Sequence, residues 1–239
     1  MSSDMLSGKK IAVLVESEYI PAEIAAYQQR FPELGATVDL MSRLWNQPSA
    51  RFVSDVDEVG KSLEYLDVSI DFQNINLHDY AAVIMSANYT SVRLRYFEPP
   101  KGQPISPAQT RTAPAVQFFA EAMANPQMIK GFLCHGLWIL TPMPELLTDR
   151  RVICHEVVLA DITNAGAIYL PPPLDSAPND PRNIVIDGDL VTGRAGHDVH
   201  AFIDAVARQI TLQAQGLPLL SSKQVERQQD ADKLKYLPT

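Results

Sequence analysis

The sequence predicts an α/β protein: a single domain forming a three-layer α/β/α sandwich, with helices on both faces of a mostly parallel sheet. Three observations carry this expectation. Short continuous apolar runs recur along the chain, as strands buried on both faces require. Segments of helical period separate them, so strands and helices alternate. The chain has 239 residues, enough to bury a full core as one large domain.

Each element can be justified in turn. Lys9 to Val15 (KKIAVLV) reads as the first strand. Pro21 opens a helix carrying Ile24, Tyr27 and Phe31, which ends near Gly35. Ala36 to Met41 is the next strand. Residues 42–77 are polar and irregular, with Trp45, Pro48 and an alternating run from Val68 to Phe72, and are expected to form an added hairpin or arm. Tyr80 to Met85 is a third core strand. Residues 96–114 hold five prolines and little periodicity, so a loop is expected there, serving as a lid or an interface arm.

Thr112 to Asn125 reads as helix, and Met128 to Leu133 as the strand that feeds Cys134. Beyond it, Leu137, Trp138, Leu140 and Met143 return at near-helical spacing, so a helix is expected to start at the cysteine. Arg151 to Cys154 is a short strand, followed by a helix to Asn164 that Gly166 stops. Pro171 to Pro181 is a second proline-rich loop. Asn183 to Ile186 and Leu190 to Thr192 flank Asp187-Gly188, a tight-hairpin signal. The last helix starts near Asp198, read as its N-cap, and runs to about Gln215. The domain is expected over residues 1–215, with 216–239 a polar tail ordered only by packing on a partner.

Composition narrows the function. A formal net charge of -8 and the lack of a basic stripe argue against nucleic acid as a partner. No apolar run approaches membrane-spanning length, so no membrane is expected either. Met1 to Lys10 is polar, without the apolar stretch of a secretory signal. The two cysteines, Cys134 and Cys154, can form one disulfide but no framework, and a reducing cytoplasm fits better. Glu16, Glu18, Glu23, His135 and His155 are candidates to gather near a metal. No HxxxH or CxxC spacing accompanies them, and no Gly-rich phosphate loop appears, so neither metal nor cofactor is expected.

The most informative run is Phe132-Leu133-Cys134-His135-Gly136-Leu137-Trp138. A thiol where a strand turns into a helix meets outward-pointing N–H groups and the positive end of the helix dipole. Those conditions lower a cysteine pKa and expose its sulfur. His135 stands beside it as a base, and Gly136 permits a cramped backbone. The same residues also fit a buried cysteine followed by a surface histidine.

Four ordered segments, with a fifth near the end, resemble the ThiJ/PfpI superfamily, relatives of class I glutamine amidotransferase domains. They are Val15-Glu16-Ser17-Glu18-Tyr19 with Pro21-Ala22-Glu23; Asp79 to Met85; Cys134-His135-Gly136; Leu146 through Arg150-Arg151, Cys154-His155 and Asn164 to Ala167; and Asp187 to Arg194. The resemblance implies a flavodoxin-like fold with Cys134 at a strand-to-helix nucleophile elbow. It makes Cys134 the reactive cysteine, Glu23 a carboxyl group hydrogen-bonded to its sulfur, and His155 a second histidine near the thiol. His135 would be the base only in some branches. One departure is Ser86-Ala87-Asn88, which replaces the family's Pro-Gly-Gly turn. Ala87 or Asn88 can still offer an oxyanion N–H there, and the Asn88 side-chain amide is a further donor. Arg93 is a candidate to hold a substrate carboxylate.

The expected function is therefore a cysteine-dependent hydrolase or lyase acting on a small carbonyl or amide-like molecule, glyoxalase III-like, amidase-like or hydratase-like. The catalytic candidates are Cys134, Glu23, His155 and His135; Ala87, Asn88 and Arg93 are the substrate-binding ones. Two other classes compete: a redox-sensing or stress-protective protein with an oxidisable cysteine, and a non-catalytic binding module. The resemblance also implies a homodimer or higher homo-oligomer.

Overall fold

The structure, a computed structural model, describes residues 5–55 and 62–222. In chain order the elements are β1 (Lys10–Leu14), α1 (Pro21–Glu33), β2 (Thr37–Met41), β3 (Ala50–Val53), β4 (Tyr65–Val68), β5 (Ala82–Met85), α2 (Thr90–Leu94), α3 (Pro114–Ala124), β6 (Ile129–Leu133), β7 (Arg151–Val152), α4 (Leu159–Asn164), β8 (Ile168–Tyr169), β9 (Ile184–Asp187), β10 (Leu190–Gly193) and α5 (Val199–Ala214). Six strands form one sheet in the order β2-β1-β5-β6-β10-β9. All neighbours are parallel except β9, which returns antiparallel on β10 through the Asp187-Gly188 turn.

The continuous apolar runs are explained by cover on both faces. Every residue of β5 and β6 is buried. On one face, Tyr27 and Phe31 of α1 meet Phe202, Ile203 and Val206 of α5 over Ile11, Val13 and Ile84. On the other, Val116 and Phe119 of α3 join Leu137, Leu140 and Ile162 over Leu14, Met85 and Phe132. Buried positions Val199, Phe202, Ile203, Val206 and Ile210 of α5 follow the i, i+3, i+4 rule. This is the flavodoxin-like three-layer arrangement expected.

Side chains crowd the backbone of β6 at Gly131. A Cβ there would lie 2.7 Å from Phe202 Cζ and 3.1 Å from Ile84 Cγ1, so the ring of α5 sits directly on this strand. Residues 42–77 contain the expected hairpin, with β3 antiparallel to β4; residues 56–61 of it lie outside the described residues.

Three expectations need correction. No α-helix starts at Cys134. Gly136–Leu140 and Pro144–Leu146 are short 3₁₀ turns. Pro142 and Pro144 remove backbone donors that an α-helix would need, and Thr141 N–H bonds Trp138 O in the tighter pattern. Second, Asp198 stands at the N-cap position of α5, as expected, but its side chain makes no cap bond there. It is fully buried and accepts instead from Asn179 N, Asn183 Nδ2 and Ala195 N, tying the proline-rich loop to the turn before α5. Third, the first part of the polar tail is held by its own domain. Leu219 and Leu220 pack on the core, and Leu220 O accepts from Gly188 N and Gln209 Nε2. The rest of the tail, 223–239, lies outside the described residues.

Candidate active site

Strand ends bring the candidates together. Cys134 follows β6 and has φ 59°, a left-handed conformation that L-residues adopt sparingly. Its N–H donates to Gly193 O of β10 at 2.9 Å, and its carbonyl accepts from His155 N at 3.3 Å. The corner is cramped. A Cβ on Gly136 would lie 3.0 Å from Met85 O, so the chain after the cysteine runs against the end of β5.

Glu23 projects from the first turn of α1 into the core and is 1% exposed. Its Oε1 accepts from Tyr27 O–H at 2.7 Å, one helical turn on. Both of its oxygens accept from Ala87 N at 3.0 Å. Burial pushes the carboxyl up to about 7, against these two donors. The hydrogen bond from this carboxyl to the sulfur that the resemblance implies is not formed among the described residues. Both oxygens are taken by Ala87 N and Tyr27 O–H, and Glu23 acts on the sulfur through its charge.

Cys134 is 7% exposed. Burial first, and the Glu23 charge second, push its thiol up to about 12. The backbone amides of Asn88, Gly196 and His135 turn toward the sulfur and oppose that rise. The expectation of a thiol acidified by a helix dipole is therefore overturned. The helix is missing, and desolvation outweighs three backbone donors.

His135 is 7% exposed, and its ring packs between Tyr89 at 5.4 Å and Trp138 at 5.3 Å, with His155 edge-on at 4.8 Å. Neither ring nitrogen has a hydrogen-bond partner among the described residues. Burial, then His155, lowers its pKa to about 4, so at neutral pH the imidazole is uncharged. His155 is half-buried; its Nδ1 accepts from Val157 N, and Nε2 lies 3.7 Å from Glu156 Oε2.

The altered turn divides its donors. Ala87 N–H is committed to Glu23, which removes it as an oxyanion donor. Asn88 has φ 65° and turns its backbone amide to the sulfur, while its side-chain Nδ2 donates to Asp55 Oδ2 at 2.7 Å. The Asn88 side chain is thus spent on the insertion that carries β3 and β4. Arg93 Nη2 donates to Glu18 Oε1 at 2.7 Å, and its side chain lines a different cleft, in which Cys134 takes no part. No group of three or more His, Cys, Asp or Glu placed to hold a metal occurs among the described residues.

Sequence reasoning missed Tyr27, Gly196 and Asp55. Tyr27 was legible as the i+4 partner of Glu23 on one helix face. Gly196 and Asp55 reach the site from chain segments distant in sequence, and no local pattern marks them.

Comparison with solved structures places this geometry in a known fold. The chain is similar to a ThiJ/PfpI domain protein from Brachyspira murdochii, with TM-score 0.62 and 15% identity, covering 85% of this chain and 96% of that one. It is similar to DJ-1beta of Drosophila melanogaster, with TM-score 0.62 and 11% identity over 87% of this chain and 97% of the other. A two-domain protein from Anabaena variabilis, carrying dj-1/thij/pfpi-like and ferritin-like domains, matches with TM-score 0.61 and 20% identity over 87% of this chain and 48% of its own. No family model and no curated protein sequence matches. The fold is thus that of the ThiJ/PfpI and DJ-1-like proteins, in agreement with the resemblance read from the motifs. No described helix is long and apolar enough to cross a membrane.

Proposed function

We propose that the protein is a cysteine-dependent enzyme acting on a small carbonyl or amide-like molecule, with Cys134 as nucleophile at an elbow after β6. One observation carries the reading: a left-handed cysteine with three backbone amides turned to its sulfur and a buried carboxyl of near-neutral pKa acting on it. At neutral pH the thiol keeps its proton, so activation has to come with the reaction. The Sγ–C bond forms while the C=O π pair moves to oxygen, and the S–H proton passes to the Glu23 carboxylate. The backbone amides of Asn88 and His135 are the donors placed for the new oxyanion. Glu23 then returns the proton, to the oxyanion of an aldehyde adduct or to the leaving nitrogen of an amide. His135 and His155, stacked edge-on, wall the pocket, and the uncharged His135 can accept a proton in either step.

The amides converge on the sulfur itself, which also favours a second reading, the oxidisable cysteine. A sulfenate oxygen would take the same donors. The deciding experiment is the pH profile of Cys134 alkylation by iodoacetamide, run with consumption of small α-ketoaldehydes and amides. We expect the alkylation rate to rise through pH about 7 as Glu23 ionises, and Glu23→Gln to lose that limb. Turnover should vanish in Cys134→Ser. A profile indifferent to Glu23 would sink the proton-transfer role. Peroxide-driven oxidation with no turnover of any substrate would favour the redox reading.

A further inference from the structure

A second cleft, of about 300 Å3, opens where the loops after β1 and β2 meet α2 and the start of α3. Glu16, Arg43, Trp45, Arg93 and Tyr96 supply its chemistry. In parallel α/β sheets this strand-end edge is where ligands bind. The volume lies at the low end for small-molecule pockets.

Three of its groups are incompletely served within the chain. Glu16 is partly buried, and desolvation raises its pKa against the adjacent Ser17, whose N–H donates at 2.9 Å, and against the charge of Arg93. Arg93 commits its Nη2 to Glu18, so Glu16 has no direct ion pair among the described residues, and a partly desolvated carboxylate in that state calls for a cation. Arg43 commits Nη1 to Asp71 at 2.7 Å, while its Nε is buried without a partner among the described residues. A buried guanidinium donor in that state calls for an acceptor. Trp45 lies under the Arg43 guanidinium at 4.7 Å and meets Tyr96 edge-on at 5.6 Å, yet the two rings are 40% and 56% exposed. Trp45 also has φ 54°, a conformation that a bulky residue keeps only where its surroundings impose it. Such rings offer a face to an apolar body.

Charge balance narrows the occupant. A simple anion would meet Glu16, and a simple cation would meet Arg43 and Arg93. A molecule with one charge of each sign and an apolar body satisfies all three groups. We propose that this cleft binds a small zwitterion with an aromatic or large apolar side chain, the chemistry of a free hydrophobic α-amino acid. Its ammonium faces Glu16, its carboxylate faces Arg43, and its side chain lies on Trp45 and Tyr96. Because Cys134 takes no part in the walls, the inference stands apart from the thiol chemistry proposed above.

The test is titration calorimetry on the full chain with L-phenylalanine, 3-phenylpropionate, which lacks the ammonium, and 2-phenylethylamine, which lacks the carboxylate. L-phenylalanine should bind at one site per chain. Each singly charged analogue should bind about tenfold more weakly or worse, since it forfeits one charge-assisted contact. Glu16→Gln should weaken L-phenylalanine and leave 3-phenylpropionate unharmed. Tyr96→Ala, at an exposed ring that folding does not depend on, should weaken all three. Cys134→Ser should change none of these affinities. Absence of saturable binding by L-phenylalanine, or equal binding of 3-phenylpropionate, would overturn the proposal. So would loss of binding in Cys134→Ser, which would move the ligand to the thiol.

Discussion

At the residue scale, Glu23 and His135 are displaced in opposite directions by the same cause. Burial raises the carboxyl from 4.5 to about 7 and lowers the imidazole from 6.5 to about 4. Between pH 4.5 and 7 the folded protein holds a proton on Glu23 that the unfolded chain has released, so this stability contribution is lost as pH rises through that window. Between pH 6.5 and 4 the unfolded chain takes a proton that buried His135 refuses, so stability is lost as pH falls. Each shift is worth about 3 kcal/mol. Across pH 4.5 to 6.5 the two slopes nearly cancel. We therefore expect Glu23→Gln to unmask the histidine: denaturant midpoints should climb from pH 4 to 6.5, and the variant should exceed wild type at pH 8. A variant whose stability stays flat over that range would show that His135 titrates normally. Both groups thus keep a structural cost at the site that the proposed chemistry uses.

At the element scale, the site rests on close approaches between strands and the loops that leave them. Gly136 lets the chain after Cys134 lie against Met85 O, and Gly131 lets α5 lie on β6. Gly131→Ala has to displace the Phe202 ring, which is fully buried. It should cost about 1–3 kcal/mol by overpacking, read as a lower urea midpoint at unchanged m-value. Gly136→Ala meets the Met85 carbonyl, backbone that yields less readily than a flexible side chain, with Phe132 Cβ beside it. It should therefore lower the urea midpoint and, by shifting the corner after Cys134, also alter alkylation kinetics. Unchanged alkylation kinetics in a destabilised Gly136→Ala variant would show that this corner does not position the thiol. The 3₁₀ turns after Cys134 carry a related lesson. Leu137, Trp138 and Leu140 have helical spacing because they bury one side of a turn, but Pro142 and Pro144 cap its length.

At the scale of the whole molecule, the amino-terminal ends of the strands are joined by buried charge. Lys130 of β6 is fully buried and bonded to Asp189, whose other oxygen accepts from Arg150 Nη2 at 2.9 Å; Arg150 Nε also reaches Asp187 at 2.7 Å. This network ties β6, β9, β10 and the start of β7 together at the edge away from the thiol. Removing one partner should hurt more than removing the charge that needs it. Asp189→Ala strands Lys130 and should cost about 3–5 kcal/mol, whereas Lys130→Met, apolar and of similar length, should be far milder. Urea midpoints of the two variants and of the double variant check this. A double variant no more stable than Asp189→Ala alone would refute the stranded-charge account.

Much of the layout was legible because it depends on local period. The apolar runs of β1, β5 and β6, Pro21 at the start of α1 and Asp187-Gly188 between β9 and β10 each declare their element within a few residues. Cys134 and Glu23 were legible through ordered motifs, and the structure brings both to one group of strand ends. What the chain folds into next was decided by contacts between distant segments. Ala87 spends its N–H on Glu23, Asn88 its amide on Asp55, and Asp198 its carboxylate on Asn179 and Asn183 rather than on α5. Arg93 turns to Glu18 and a separate cleft. The protonation of the thiol belongs here too. A motif can place a sulfur beside amides, but how much water it loses depends on every layer packed over it, and desolvation is set only when those layers close.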